Sequence, residues 1–269
     1  MESEPRVPAS PAAPGRASEP LHPARAIAAG WRTFLAHPWI TIGAMLLVLV
    51  IACAGQVIPV LGVLFALLAM PALSTGAAGW LLRRARGQNP DIGALFDGFR
   101  RWPSTTGAWW IVLLVTLVIE IPMIVAVFAT LGLQALLHPR HLASGAAAGL
   151  GVATFAVIGA AFVVVMPLLM WWSCRMSMVY FAVMEPDRPG AIESLRRSWA
   201  LTRGSVWRLV GLALLSIPIV LLGLIALCVG VVPAYLTLAY AWVDAYEQLR
   251  ARLAPAPAPA AAPAAPVIT

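Results

Sequence analysis

The sequence contains no lysine, and only 11% of its 269 residues are charged, against about 25% in an ordinary soluble domain. Apolar residues make up 61% of the chain, above the usual share of about 45–50%. This composition excludes a soluble globular enzyme and an intrinsically disordered regulator. Cysteine is equally scarce, because the only three lie far apart in the sequence: Cys53, Cys174 and Cys228. Without a C-x-x-C pair, neither a zinc site nor a dithiol redox motif is expected.

Long apolar runs are what the sequence has instead of charge. A membrane-spanning helix needs about 20 mostly apolar residues, and four blocks meet this requirement: 38–82, 108–133, 149–184 and 206–249. The first and last blocks are long enough for two helices each, with breaks expected near Gly55 and Gly230. The predicted fold class is all-α, a polytopic membrane protein with about six transmembrane helices, or five if a short hairpin is re-entrant.

The two flanks differ from this apolar middle. Residues 1–22 and 253–269 are rich in alanine and proline and have few side chains large enough to bury. Such compositions favour extended, solvated chain, so both flanks are predicted to be disordered. The transmembrane domain accordingly covers residues 23–252.

The placement of arginine indicates an orientation. Six spans put seventeen of the eighteen arginines on one side of the membrane and only Arg140 on the other. Because positive residues collect in cytoplasmic loops, both termini are expected on the cytoplasmic side of a bacterial inner membrane, with arginines facing anionic headgroups. Asp244 and Glu247, near the end of the last span, are expected to pair with arginines such as Arg250. The net charge of +7 is thereby assigned to topology, and no nucleic-acid partner is expected.

A short amphipathic segment precedes each predicted hairpin. All three segments have a proline at or just before their first turn and apolar residues spaced three and four apart; they lie near 24–36, 90–102 and 189–202. We predict that they are short helices in the cytoplasmic interface, with the apolar face toward lipid and the arginines toward water.

Two further features recur in the same order as these segments. Each segment contains a small residue followed by an aromatic one, and another tryptophan follows eight to ten residues later: Gly30-Trp31, Gly98-Phe99 and Ser198-Trp199. The second helix of each hairpin carries a proline, at Pro71, Pro167 and Pro233. The chain is therefore interpreted as three repeats of an interfacial amphipathic helix and a helical hairpin.

Two stretches of sequence carry a family resemblance. GWRTFLAHPWITIG with the later GWLLRRARGQNPDIGALFDGFRR resembles the first half, and AIESLRRSWALTRGSVWRLVGLALL the closing third, of bacterial multipass integral membrane proteins of unknown function. That family is similar to the membrane domain attached to some glycerophosphodiester phosphodiesterases, whose catalytic domain has no counterpart in this sequence. The resemblance implies a six-helix fold and no assigned activity.

No catalytic, cofactor-binding or metal-ligating set of residues is recognisable. The motifs G-x-x-x-x-G-K-[ST], H-E-x-x-H and G-x-S-x-G are all absent, so an enzyme is not expected. Two ionisable residues within predicted spans, Glu120 and Arg175, are the candidates for an intramembrane function. Glu120 lies eleven residues after Trp109, near the middle of the hydrocarbon core. It is expected either to pair with Arg175 or to be neutral and donate a hydrogen bond.

These features favour a non-enzymatic membrane protein with a structural, assembly or lipid-organising role, whose partner is the lipid bilayer itself. The alternative is a small transporter or channel-like protein that uses Glu120 at mid-membrane, as internal repeats are common in transporters. A membrane-protein partner and a second copy of the chain are left open.

Overall fold

The computed structural model describes residues 21–57, 59–137, 152–225 and 230–253. The regular structure of these residues is helical: α1 (Pro23–Ala36), α2 (Pro38–Gly55), α3 (Pro59–Leu68), α4 (Met70–Ala85), a 3-10 helix (Ile92–Phe96), α5 (Asp97–Arg100), α6 (Trp102–Leu137), α7 (Val152–Met176), α8 (Val179–Val183), α9 (Ala191–Thr202), α10 (Val206–Ile225) and α11 (Val231–Leu253). Apart from residues 21, 22 and 253, the flanks predicted to be disordered lie outside the described residues.

Four stretches of helix are long and apolar enough to cross a membrane. They are α2, most of α6, most of α7 continued through α8, and α10. A fifth span is counted if α3 and α4 are taken together, since they meet at a bend of 45°. An all-α protein with several candidate membrane spans is therefore confirmed for the described residues.

Prolines set several helix boundaries. Pro23 and Pro38 stand at the first positions of α1 and α2, where the missing N–H costs no helical hydrogen bond. One residue, His37, separates the two helices, and its backbone is not helical (φ −149°, ψ 62°). Pro71 lies in the first turn of α4 and has no N–H to continue the hydrogen bonds of α3, which accounts for the bend at Ala69.

The second amphipathic segment differs from its prediction. Instead of one helix over 90–102, the chain forms the 3-10 helix and the single turn α5, and α6 begins directly at Trp102. The Asp91 carboxylate starts the 3-10 helix by accepting a hydrogen bond from the Gly93 amide at 3.3 Å. Gly93 and Gly98 weaken a regular α-helix over this short stretch. The other two predicted segments are present as α1 and α9.

All three segments pack on a neighbouring helix through a small residue. A side chain at Gly30 would collide with the backbone of α11, and one at Gly98 would collide with the backbone of α4. Ser198 of α9 is fully buried and donates a hydrogen bond from its hydroxyl to the carbonyl of Arg175 in α7, at 2.7 Å. Close helix contact is the common reason for a small residue at these positions.

The core of the molecule surrounds α11. This helix buries nine of its residues, and its contact with α1 is the most extensive of any described helix pair. The buried hydroxyls of Thr41 and Tyr240 lie 3.1 Å apart and tie the start of α2 to α11. By contrast, no residue in the most apolar window of α6 is buried. Large apolar side chains thus point outward from the spans, while the interior contains polar groups.

Candidate functional site

A buried carboxylate, Glu185, lies at the centre of the arginine-rich end of the molecule. It belongs to the short loop between α8 and α9 and is only 5% exposed. Its Oε1 accepts hydrogen bonds from Arg86 Nη2 at 2.8 Å and from the Tyr246 hydroxyl at 2.9 Å. Arg250 Nη2 lies 3.5 Å from its Oε2. These partners supply what a carboxylate loses when it is removed from water.

Arg86 joins this carboxylate to a second one. It follows the end of α4 and donates to Glu247 Oε1 from Nε at 2.9 Å and from Nη2 at 2.6 Å. Burial acts to lower the pKa of Arg86, but the two carboxylates outweigh burial and raise it. Glu247 also lies 3.9 Å from Arg250, which confirms the pairing expected at the end of the last helix.

Arg101 fastens the Glu185 loop from the other side. Its Nη1 donates to the backbone carbonyls of Val183 at 2.5 Å and Glu185 at 2.7 Å. The pKa of Arg101 is lowered, first by burial and then by the positive charges of Arg188 and Arg83. The nearby carboxylates of Asp97 and Asp187 act in the opposite direction and do not outweigh these effects.

An open cleft of about 570 Å³ adjoins Glu185. Its charged and polar lining comes from three elements, the loop between α8 and α9, α9 and α11: Glu185, Asp187, Arg197, Tyr246 and Arg250. Arg197 bonds to Asp187 at 2.6 Å and to Glu193 at 3.0 Å. The hydrogen bond from Arg197 lowers the pKa of the Asp187 carboxyl. The charged groups of the cleft are thus mostly engaged with one another.

Glu120, the first residue singled out from the sequence, lies midway along α6 and is half-buried. Within the described part of the chain it makes no hydrogen bond or ion pair. One turn earlier, Thr116 accepts a hydrogen bond from Trp172 Nε1 of α7 at 3.1 Å, so this side of α6 faces α7. The intramembrane role of Glu120 stays a prediction.

Arg175, the second such residue, lies between two tryptophans. Its guanidinium carbon is 4.4 Å from the ring centroid of Trp199 and 5.2 Å from that of Trp171. Its Nη1 donates to the Trp199 carbonyl at 3.3 Å. The structure does not bring Arg175 and Glu120 together as an ion pair.

Sequence reasoning missed Glu185. The one available signal was the stretch MEPDRPG, which places two acids between two helices. Metal-ligand geometry does not appear elsewhere either: across the described ranges, no three His, Cys, Asp or Glu side chains converge on a common point.

Comparison with known proteins identifies a family and no activity. No curated protein and no solved structure matches the chain. Nothing found links it to the membrane domain of glycerophosphodiester phosphodiesterases, so that similarity stays an expectation. A family model described as a domain of unknown function does match residues 21–269, which is nearly the whole chain. The chain therefore belongs to the family of this domain of unknown function, DUF7847.

Proposed function

We propose that this protein is a non-enzymatic scaffold of the bacterial inner membrane, built from three repeated units, whose cytoplasmic face organises anionic lipids. The observation that carries the proposal is the way the three amphipathic segments are attached to the bundle. Each buries small residues and one larger apolar side chain (Phe34, Leu95 or Leu201) against the protein, and leaves other large apolar side chains exposed at the arginine-rich end.

The helix α9 illustrates this attachment best. Its buried residues include Ser194 and Ser198, whereas Ile192 is 63% and Trp199 is 41% exposed. In α1 and the second segment the same holds for several apolar residues: Trp31, Leu35, Ile92, Phe96 and Phe99. A helix that buries serine and exposes isoleucine and tryptophan is unfavourable in water and well suited to the boundary between headgroups and acyl chains.

The contacts between segments support the three-repeat arrangement. The 3-10 helix and α5, which open the second unit, pack on α4 of the first unit, and α9 of the third packs on α7 and α8 of the second. The first segment, α1, packs on α11 of the third unit, which closes the ring. Thr75 and Thr237 also occupy equivalent places, because each donates to the carbonyl of the proline four residues earlier, at 2.6 and 2.7 Å.

The charge cluster supports six spans, with α11 as the sixth. Arg86, Glu185 and Glu247 meet at one end, so the helices between each of them must cross the bilayer an even number of times. On this view α11 is less apolar than the other spans because it is central: its polar residues, such as Tyr240 and Thr237, face protein and not lipid.

Lipid selectivity tests the proposed role. The purified protein would be reconstituted in phosphatidylcholine, and the motionally restricted fraction of spin-labelled phosphatidylglycerol compared with that of spin-labelled phosphatidylcholine. We expect a preference for the anionic lipid that weakens as salt is raised, since each arginine at the surface contributes about 1 kcal/mol and is screened within about 8–10 Å.

One arginine from each segment offers a matched set of variants. Arg32, Arg100 and Arg196 are exposed, and changing all three to Gln should remove much of the preference without unfolding the protein. The comparison variant changes Arg203 and Arg208, which are exposed but lie outside the segments, to Gln. It should keep the preference for the anionic lipid. A wild-type protein without headgroup preference, or a preference that survives the triple change, would rule out the lipid-organising role.

A second candidate function, transport, is favoured by the absence of any described partner for Glu120. In proteoliposomes containing a trapped pH-sensitive dye, the scaffold role predicts no protein-dependent proton flux. A flux present in the wild type and lost in a folded Glu120→Gln variant would favour transport.

A further inference from the structure

A second cavity, of about 260 Å³, lies beside Arg86. Its lining comes from α4 and the residues that follow it, from Arg101 just before α6, and from the loop that contains Glu185. Its lining is dominated by guanidinium groups: Arg83, Arg86 and Arg101, with Gln88, Gly79 and Met184 among the others. No carboxylate residue is among its described lining.

Each of the three arginines is anchored through only part of its guanidinium. Arg83 donates to Asp97 from Nη2 at 2.6 Å, and Arg101 uses Nη1 for two backbone carbonyls. Arg86 uses Nε and Nη2 for its carboxylates. The remaining N–H groups have no acceptor in the described part of the chain. Three guanidinium groups therefore line the cavity, and each has N–H donors without a protein acceptor among the described residues.

Arg101 is the arginine of the lining that has no carboxylate partner among the described residues. The charges near it are of both signs: Arg188 and Arg83 are positive, and Asp97 and Asp187 are negative. The other two lining arginines are paired, Arg83 with Asp97 and Arg86 with Glu185 and Glu247. An anion in the cavity would give Arg101 a charged partner.

Local structure also fixes the backbone of Gln88, the uncharged polar residue of the lining. Gly87 ends α4 with φ at +76°, and the amide of Gln88 donates to the Arg83 carbonyl at 3.0 Å, so the chain turns back over the cavity. The Gln88 side chain makes no hydrogen bond within the described residues. It is a donor that a ligand can use.

From this geometry we propose that the cavity binds a phosphate group. Phosphate carries several acceptor oxygens and is matched by the planar fork of arginine, and three such groups converge here. A lipid headgroup and a soluble phosphate compound both carry this group and share this chemistry. The inference rests on the proposed function only for the lipid source.

Calorimetric titration of the detergent-purified full chain with inorganic phosphate tests the proposal. We expect binding that is weakened about tenfold or more by Arg101→Gln, which removes charge-assisted hydrogen bonds, and by Gln88→Glu, which places a repelling carboxylate in the lining. Gln88→Glu removes no described hydrogen bond of that side chain, so it decides the matter if Arg101→Gln does not fold. Arg203→Gln lowers the net charge equally at an exposed site outside the cavity lining and should change the dissociation constant less than about twofold.

Short-chain phosphatidylglycerol distinguishes the two sources. If it displaces inorganic phosphate and is sensitive to the same two variants, the source is a lipid headgroup; if only inorganic phosphate binds, the source is soluble. Absence of binding by both, or equal binding by Gln88→Glu, Arg101→Gln and wild type, would overturn the proposal. Phosphate binding without any preference in the spin-label experiment would refute the lipid-organising role alone.

Discussion

At the scale of single residues, Glu185 connects its own loop to two distant parts of the chain. Its carboxylate contacts Arg86 after α4, and Tyr246 and Arg250 of α11. Glu185→Ala would leave two arginines facing a partly buried site without this partner. Breaking a buried ion pair in this way costs about 3–5 kcal/mol. We expect a loss of that size in the free energy of unfolding, measured by steric trapping in lipid bicelles.

Asp187 provides the control for this change because it lies two residues away in the same loop. It bonds to Arg197 at 2.6 Å, but its side chain is 54% exposed. Exposed ion pairs contribute about 0–1 kcal/mol, so Asp187→Ala should have little effect on stability. Equal losses from the two variants would show that the loop, and not the buried carboxylate, is what matters.

The sequence does not reveal the role of Glu185, and the reason is physical. Its partners lie 99 and 61 residues away, so no helical periodicity relates them. Glu247, in contrast, has Arg250 three residues later on the same helix, and a local pattern was enough to predict that contact. Local ion pairs can be recognised from spacing, whereas a cluster that joins three helices depends on the tertiary fold.

At the scale of helices, the contact between α1 and α11 depends on Gly30. A Cβ at this position would meet the backbone of α11, which has no side-chain freedom to move aside. Gly30→Ala should therefore destabilise the protein by about 1–3 kcal/mol or more, the usual range for overpacking. Thermal unfolding in detergent, followed by tryptophan fluorescence, measures the change.

Gly43, in the middle of α2, is the matched control. Apart from the backbone of its own helix and its chain neighbours, nothing lies within 4 Å of a Cβ built there, so Gly43→Ala should stabilise its helix by about 0.5–1 kcal/mol. If Gly30→Ala behaved like Gly43→Ala, α1 would not be held against α11 in the way described.

Helix boundaries were the most predictable part of the fold, and helix faces the least. Pro23 and Pro38 start helices. The break expected near Gly55 corresponds to the end of α2, and the one expected near Gly230 to the start of α11. The face of α9 that contacts the protein includes the buried Ser194 and Ser198, and no apolar pattern in the sequence indicates that these serines are buried. Hydrophobic periodicity identifies an apolar stripe without telling whether it meets protein or lipid.

At the scale of the whole molecule, the ion pairs collect the ends of α4, α8 and α11 on one side, and the distribution of arginine gives that side a direction. If the chain has the six proposed spans, seventeen arginines lie on one side and Arg140 on the other, and the positive-inside rule predicts that the arginine-rich side is cytoplasmic. We therefore expect fusions of green fluorescent protein after Arg86 and after Arg203 to fluoresce, and fusions of alkaline phosphatase at the same points to be inactive.

The segment from His138 to Ser144 lies outside the described residues and provides the opposite result in the same experiment. Six spans place it in the periplasm, between α6 and α7, so a phosphatase fusion there should be active. This segment contains one arginine, Arg140, whereas residues 83–86 alone contain three. A cytoplasmic result at this loop, with Arg86 also cytoplasmic, would require α6 to return without crossing, and the six-span arrangement would then be wrong.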